Sequence, residues 1–152
     1  MAVTIAVGSD DVYPVAKYLV RELEKRGFKV ELYGALKTGS LYPWPKVGYE
    51  VARAVAERRA KFGIVICYTG TGVCIAANKV RGIRAALCVD PETARGARLW
   101  NDANVLALSA RLTTEILAKE ILDSWLSVES PDPSEVENIR YLSVIEETER
   151  RG

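Results

Sequence analysis

Phe62 to Tyr68 (FGIVICY) is an unbroken apolar run that stops at Thr69-Gly70-Thr71-Gly72. A half-solvated strand alternates apolar and polar residues; a strand covered on both faces does not. Val3 to Gly8 (VTIAVG) is a shorter apolar run that also reads as a buried strand, and Phe28 to Tyr33, Ile83 to Val89 and Asn104 to Ser109 read as further strands. Between them the apolar residues fall at helical spacing: Val15, Leu19, Val20 and Leu23, then Val47, Val51, Ala54 and Val55. Val73 to Lys79 reads as a short helix, and Thr113 to Leu126 as a longer one with Ile116, Leu117, Ile121, Leu122 and Trp125 on one face. Strands that alternate with helices form a parallel sheet with helices on both faces. The chain is therefore expected to be α/β: a Rossmann-like three-layer αβα sandwich with a five-stranded parallel sheet and a C-terminal helix.

The punctuation agrees with this reading. Gly27 is placed to stop the first helix, and Thr38 to Pro45 reads as a loop broken by Gly39, Pro43 and Pro45. Asp90 and Pro91 suit the N-cap and first position of a helix. Ser130-Pro131-Asp132-Pro133 is a breaker, and Ser134 to Arg150 a last helix with Ile139, Leu142 and Ile145 as a narrow apolar stripe. That stripe has either the parent domain or a partner subunit to cover. At 152 residues the chain is expected to form a single domain, 1–152.

Charge and composition narrow the function. The 21 basic and 20 acidic residues leave a net charge of +1, with no field for nucleic acid and no polybasic membrane patch. Arg53, Arg58, Arg59 and Lys61 cluster locally and read as a solvated helix end and loop. No apolar run approaches a membrane span, and Met1 to Gly8 reads as a strand rather than a signal peptide. Three cysteines, Cys67, Cys74 and Cys88, suit a reducing cytoplasm better than a disulfide framework. The chain has no Gln and only four Asn, which leans towards a thermophilic source. It also has no His, so acid–base chemistry must use Cys, Asp, Glu, Lys, Tyr or water.

In such sheets ligands bind beyond the carboxyl ends of the strands. Ser9-Asp10-Asp11 and Cys67 to Gly72 are expected there; Trp100-Asn101-Asp102 reaches that place only if its connection folds back over the sheet edge. The glycines of Thr69-Gly70-Thr71-Gly72 let backbone N–H groups turn towards an anion such as a phosphate or an enediolate. The loop lacks the Lys of a P-loop and the third Gly of a dinucleotide fingerprint. Cys67 ends the apolar strand beside it. A thiol there can serve as base or nucleophile, although a strand cysteine is ordinarily a small buried hydrophobe. Cys74 is a lesser candidate, and Cys88 reads as core.

Further motifs stand in order along the chain: Gly8-Ser9-Asp10, Thr69-Gly70-x-Gly72, Ala76-Ala77-Asn78-Lys79, Gly82-Ile83-Arg84-Ala85-Ala86, Thr93-Ala94-Arg95 and Asn101-Asp102-Ala103-Asn104-Val105-Leu106. With them the chain resembles the ribose-5-phosphate isomerase B / galactose-6-phosphate isomerase family. The resemblance implies aldose–ketose isomerisation through an enediolate, without metal or cofactor. It implies a homodimer or a tetramer, with sites between subunits and residues 134–150 packing at that interface. It makes Cys67 the proton-abstracting base and places Thr69 near the substrate oxygens. The amides of Gly70, Thr71 and Gly72 become the anion hole. Asp10 and Asn101 would bind sugar oxygens, and Arg111 the phosphate.

The departures are as specific. Family members carry His where this chain has Asp11, and a ring-opening His where it has Trp100. Their Tyr-Pro-Asp segment aligns with Trp44-Pro45-Lys46, or with a shift onto Tyr42-Pro43. Ser134, Glu135 and Asn138 fall where the resemblance implies an arginine-rich phosphate clamp. The expected function is a sugar or sugar-phosphate isomerase that is a poor ribose-5-phosphate isomerase and takes an acyclic or ready-opened substrate. The alternative is a non-catalytic relative that binds a sugar or sugar acid. A nucleotide-binding flavodoxin-like domain fits the ordered motifs less well.

Overall fold

The computed structural model describes residues 2–150. Five parallel strands, β1 (Thr4–Ser9), β2 (Lys29–Gly34), β3 (Phe62–Cys67), β4 (Ala85–Leu87) and β5 (Val105–Ser109), form one sheet in the order β2-β1-β3-β5-β4. The most apolar strand is thus the central one. The helices are α1 (Pro14–Lys25), α2 (Ala35–Thr38), α3 (Trp44–Ala56), α4 (Thr71–Ala77), α5 (Pro91–Asn101), α6 (Glu115–Ser127) and α7 (Val136–Glu149).

The alternation of side chains along each strand feeds two cores. Ile5, Val7, Ile64, Ile66, Leu106 and Leu108 pack with residues of α1, α5 and α6. Ala6, Val65, Cys67, Val105 and Ala107 pack with α3 and α4. Small residues let α3 lie close to the sheet: a Cβ on Gly8 would sit 2.6 Å from Val47, and one on Gly63 2.6 Å from Val51. In the other core Phe62 and Trp125 meet edge-on at 5.8 Å.

Several boundaries differ from the sequence expectation. The fourth strand shrinks to Ala85–Leu87, where it pairs with Val105 to Ala107 of β5, while on its open edge the Asn78 side chain accepts from the Ala85 amide at 2.8 Å. The expected loop from Thr38 to Pro45 is shorter. A helical turn over Ala35–Thr38 precedes it, and Trp44 and Pro45 already belong to α3, where an early proline loses no hydrogen bond. The last helix starts at Val136, after a 3₁₀ turn over Pro133–Glu135. It buries none of its residues, and Tyr141, Leu142, Val144 and Ile145 are exposed. Its ties to the rest of the chain are polar: Arg81 pairs with Glu147, and the Gly82 amide donates to Glu146 at 2.8 Å. No helix is long and apolar enough to cross a membrane among the described residues.

Candidate active site

The first and third strands run side by side in register, Ser9 opposite Ile66, so their carboxyl ends deliver Asp10 and Cys67 to one place. The Asp10 amide donates to the Ile66 carbonyl at 3.3 Å. The Ser9 hydroxyl donates to the Asp11 carbonyl at 2.6 Å, and the Asp11 carboxylate accepts from the Val12 amide at 2.7 Å. One oxygen of the Asp11 side chain is therefore occupied with its own turn. Asp10 keeps one buried oxygen, Oδ1, without a hydrogen-bond partner among the described residues. Burial pushes its carboxyl upward; the Tyr13 hydroxyl beside it pulls the other way, and Asp11 adds to the rise.

Tyr13, absent from the sequence reading, stands at the N-cap of α1. Burial pushes its phenol well above the ordinary tyrosine range, and hydrogen bonding to Asp10 and the charges of Asp10, Asp11 and Cys67 push the same way. No periodicity marks such a residue; its nearness in sequence to the Asp pair is the one available signal.

Cys67 pairs with Ser109 across β3 and β5 and is 5% exposed. Beyond it the chain turns at Gly70, whose φ of +78° disfavours any residue with a side chain. A Cβ there would also lie 2.8 Å from the Leu108 backbone. The amides of Gly70, Thr71 and Gly72 donate to no carbonyl or side chain among the described residues. The hydroxyls of Thr69 and Thr71 lie 2.8 Å apart, on the exposed side of the loop. Three unspent N–H groups beside a thiol make an anion-accepting turn.

Arg111 joins this end of the sheet from β5. Its amide donates to the Tyr68 carbonyl at 3.0 Å, and its guanidinium stands 6.0 Å above the Tyr68 ring. The Trp44 ring lies on the loop from the other side, 2.8 Å from where a Gly72 Cβ would be. The Tyr42 hydroxyl instead donates to Glu50 at 2.9 Å. Of the two aromatic residues of this segment, Trp44 lies against the loop and Tyr42 does not.

Cys74 does not compete for the loop. It is half-buried with its Sγ 3.5 Å from the Ala85 carbonyl, and burial raises its thiol. Cys88 is fully buried and pushed up to about 12 by burial, as expected of a core thiol.

Trp100 and Asn101 are not brought to this place by the same chain. They end α5, which starts beyond the carboxyl end of β4 and runs back to the amino end of β5. Trp100 packs on Gly96 with the Arg95 guanidinium 5.6 Å over its ring. Asn101 lines a cavity of ≈ 450 Å³ with Ile83, Ala85, Leu142 and Ile145, under α7. The connection does not fold back over the sheet edge, since a right-handed crossover must return to the amino end before the next parallel strand begins. Asn138 donates to Glu135 at 2.9 Å on the surface of the same tail.

A parallel αβα sandwich with an anion-accepting turn beside a cysteine at its central strand defines an enzyme-like site in a Rossmann-like frame. Residues 5–142 match the Ribose/Galactose Isomerase family. A D-erythrulose-4-phosphate isomerase of Pectobacterium atrosepticum is 37% identical over 148 residues, 97% of each chain. Ribose-5-phosphate isomerase B of Escherichia coli is 38% identical over 144 residues, 94% of this chain and 96% of its own. The structure of Clostridium thermocellum ribose-5-phosphate isomerase B superimposes with a TM-score of 0.89 at 40% identity, covering 95% of this chain and 98% of that one. The chain belongs to the ribose/galactose isomerase family and is an isomerase, an intramolecular oxidoreductase.

Proposed function

We propose that the protein interconverts an aldose and a ketose phosphate through a cis-enediolate, on a substrate that has no ring to open. The observation that carries this reading is the set of unspent amides at Gly70, Thr71 and Gly72 beside Cys67, with Asp10 across the sheet end. The Cys67 thiolate takes the proton from the carbon next to the carbonyl. The electron pair moves onto the carbonyl oxygen, and the loop amides hold the resulting oxyanion. The hydroxyl proton of the adjacent carbon passes to the former carbonyl oxygen, and the thiol returns its proton to the former carbonyl carbon, so that the carbonyl now stands on the adjacent carbon. Thr69 and Asp10 hold the substrate oxygens, and Arg111 with the loop holds the phosphate.

Trp100 cannot protonate a ring oxygen, and Asp11 turns one carboxylate oxygen to the Val12 amide. A four-carbon sugar 4-phosphate needs no such acid, because its terminal hydroxyl is esterified and no five-membered ring can close. The relative from Pectobacterium carries the name of such a substrate and aligns along nearly its whole length. Tetrose and tetrulose phosphates are therefore the substrates to try, with ribose 5-phosphate turned over poorly.

A second copy of the chain supplies what one chain leaves apart. The exposed Tyr141, Leu142, Val144 and Ile145 of α7 give a homodimer, or a dimer of dimers, an apolar face to bury. Such packing sets the Trp100–Asn101 end of one subunit against the Cys67 loop of the other.

Incubation with erythrulose 4-phosphate, erythrose 4-phosphate and ribose 5-phosphate in deuterated water tests the reading. Carbon-bound deuterium and product from the four-carbon sugars, with little from ribose 5-phosphate, is expected. Binding of these sugars without exchange would favour the non-catalytic alternative, and fast ribose 5-phosphate turnover would remove the argument from Trp100. Sizing with light scattering tests the assembly, and a monomer at micromolar concentration would contradict it.

A further inference from the structure

The basic cluster after α3, which reads in sequence as a solvated helix end, lines a cavity of ≈ 550 Å³ at the amino end of the sheet. This is the end opposite the Cys67 loop. Arg58, Arg59, Lys61, Arg84 and Arg98 all reach it, and Asp102 is the one carboxylate in its wall among the described residues.

The charges there are unevenly matched. Asp102 is shared by two guanidinium groups, Arg84 at 3.3 Å and Arg98 at 3.5 Å. Their other bonds go to carbonyls, which carry no net charge: Arg84 to Asp102 and Gly82, Arg98 to Ala103 and Val128. Arg98 is 4% exposed, and its Nε has no hydrogen-bond partner among the described residues. The guanidinium lies 4.6 Å from the Phe62 ring and 5.6 Å from the Trp125 ring. Loss of water and the neighbouring Arg84 work against its charge. Arg59 is satisfied by Glu57 and Tyr33. Arg58 and Lys61 have no ion pair among the described residues; Lys61 has only the Phe62 ring, 5.4 Å away. In a chain of net charge +1, this is a local concentration of cations around low-dielectric walls.

We propose that this cavity is a second anion site, which takes the phosphate of a phosphorylated small molecule between Arg58, Lys61 and the Arg84–Arg98 pair. A dianion there completes the neutralisation that Asp102 begins. Phosphate oxygens present the acceptor geometry that guanidinium forks match. The amide of Lys61 is committed to the Thr4 carbonyl at 2.9 Å, so recognition falls to the side chains. The site shares no residue with the Cys67 loop and does not depend on the proposed isomerisation.

Titration of ¹⁵N-labelled protein with sodium pyrophosphate, followed by amide shifts at physiological chloride, tests it. Saturable shifts are expected at Thr4, Lys61, Phe62 and Asn104, as a set separate from any at Gly70 to Gly72. The double variant Arg58→Gly/Lys61→Glu should weaken the first set about tenfold or more and leave the loop set and isomerase turnover unchanged. Glycine suits the Arg58 backbone, where φ is +61°, and Lys61 is exposed, so folding is not put at risk. Shifts confined to the loop, shifts that rise without saturating, or a first set indifferent to the double variant would each overturn the proposal.

Discussion

The Trp44 ring rests on the backbone of Gly72, so that a single added methyl group at Gly72 would stand 2.8 Å from the indole. The two residues come from different helices, and their contact closes one side of the anion-accepting turn. Gly72→Ala should therefore lower kcat/KM and cost about 1–3 kcal/mol in stability through overpacking. Trp44→Ala removes the obstacle. In the double variant the two effects should fail to add by about 0.5–3 kcal/mol. Additive losses in denaturant melts would show that the ring and the glycine are not coupled.

Cys67→Ser should slow deuterium exchange at the substrate carbon by about a hundredfold or more while substrate binding persists. Cys74→Ser should leave exchange nearly intact, because its sulfur faces the Ala85 carbonyl. The reverse pattern in the exchange assay would move the base one helical turn along the chain.

Asp10 carries a sign that thermal melts can read. Its folded-state carboxyl is raised above the ordinary value, chiefly by burial. A carboxyl raised on folding takes up its proton more readily in the folded state. It penalises folding once ionised, and the penalty grows as pH climbs from the unfolded value of 3.8 through the folded one. Asp10→Asn should thus raise Tm at neutral pH, lose that advantage below the unfolded value, and impair catalysis at both. A variant less stable than the parent at neutral pH would reverse the assignment.

Leu142→Glu/Ile145→Glu should dissociate the proposed homodimer with little change in the far-ultraviolet circular dichroism of the subunit, since both side chains are exposed on it. Activity should fall with dissociation, because Asn101 and Cys67 lie at opposite ends of the sheet. Light scattering and turnover measured across the same dilution series check both statements.

Much of this architecture is written in local pattern. Apolar runs mark β1, β3 and β5 because strands covered on both faces demand them, whereas β2 at the sheet edge alternates with Lys29 and Glu31 and stays half-exposed; Asp90 caps α5 through the Thr93 amide at 2.7 Å as its spacing implies. The turn at Gly70 to Gly72 is legible because its first φ favours glycine so strongly. Tyr13 is not legible, since its meeting with Asp10 depends on how α1 leaves the sheet. Nor does sequence tell which of Tyr42 and Trp44, two aromatic residues separated by a proline, lies on the loop; in the fold Glu50 holds the tyrosine and Trp44 lies against Gly72. Trp100 and Asn101 are adjacent in motif to the site residues and remote in space, because the handedness of the crossover outweighs proximity along the chain.

The tail helix α7 also bears on the order of folding. It buries none of its own residues, so the sheet and its two cores can complete before the helix gains anything from docking. In a homodimer that gain arrives only on encounter. Refolding should then separate into a concentration-independent phase that restores the parallel sheet and a second-order phase that restores activity, the slower as the protein is diluted.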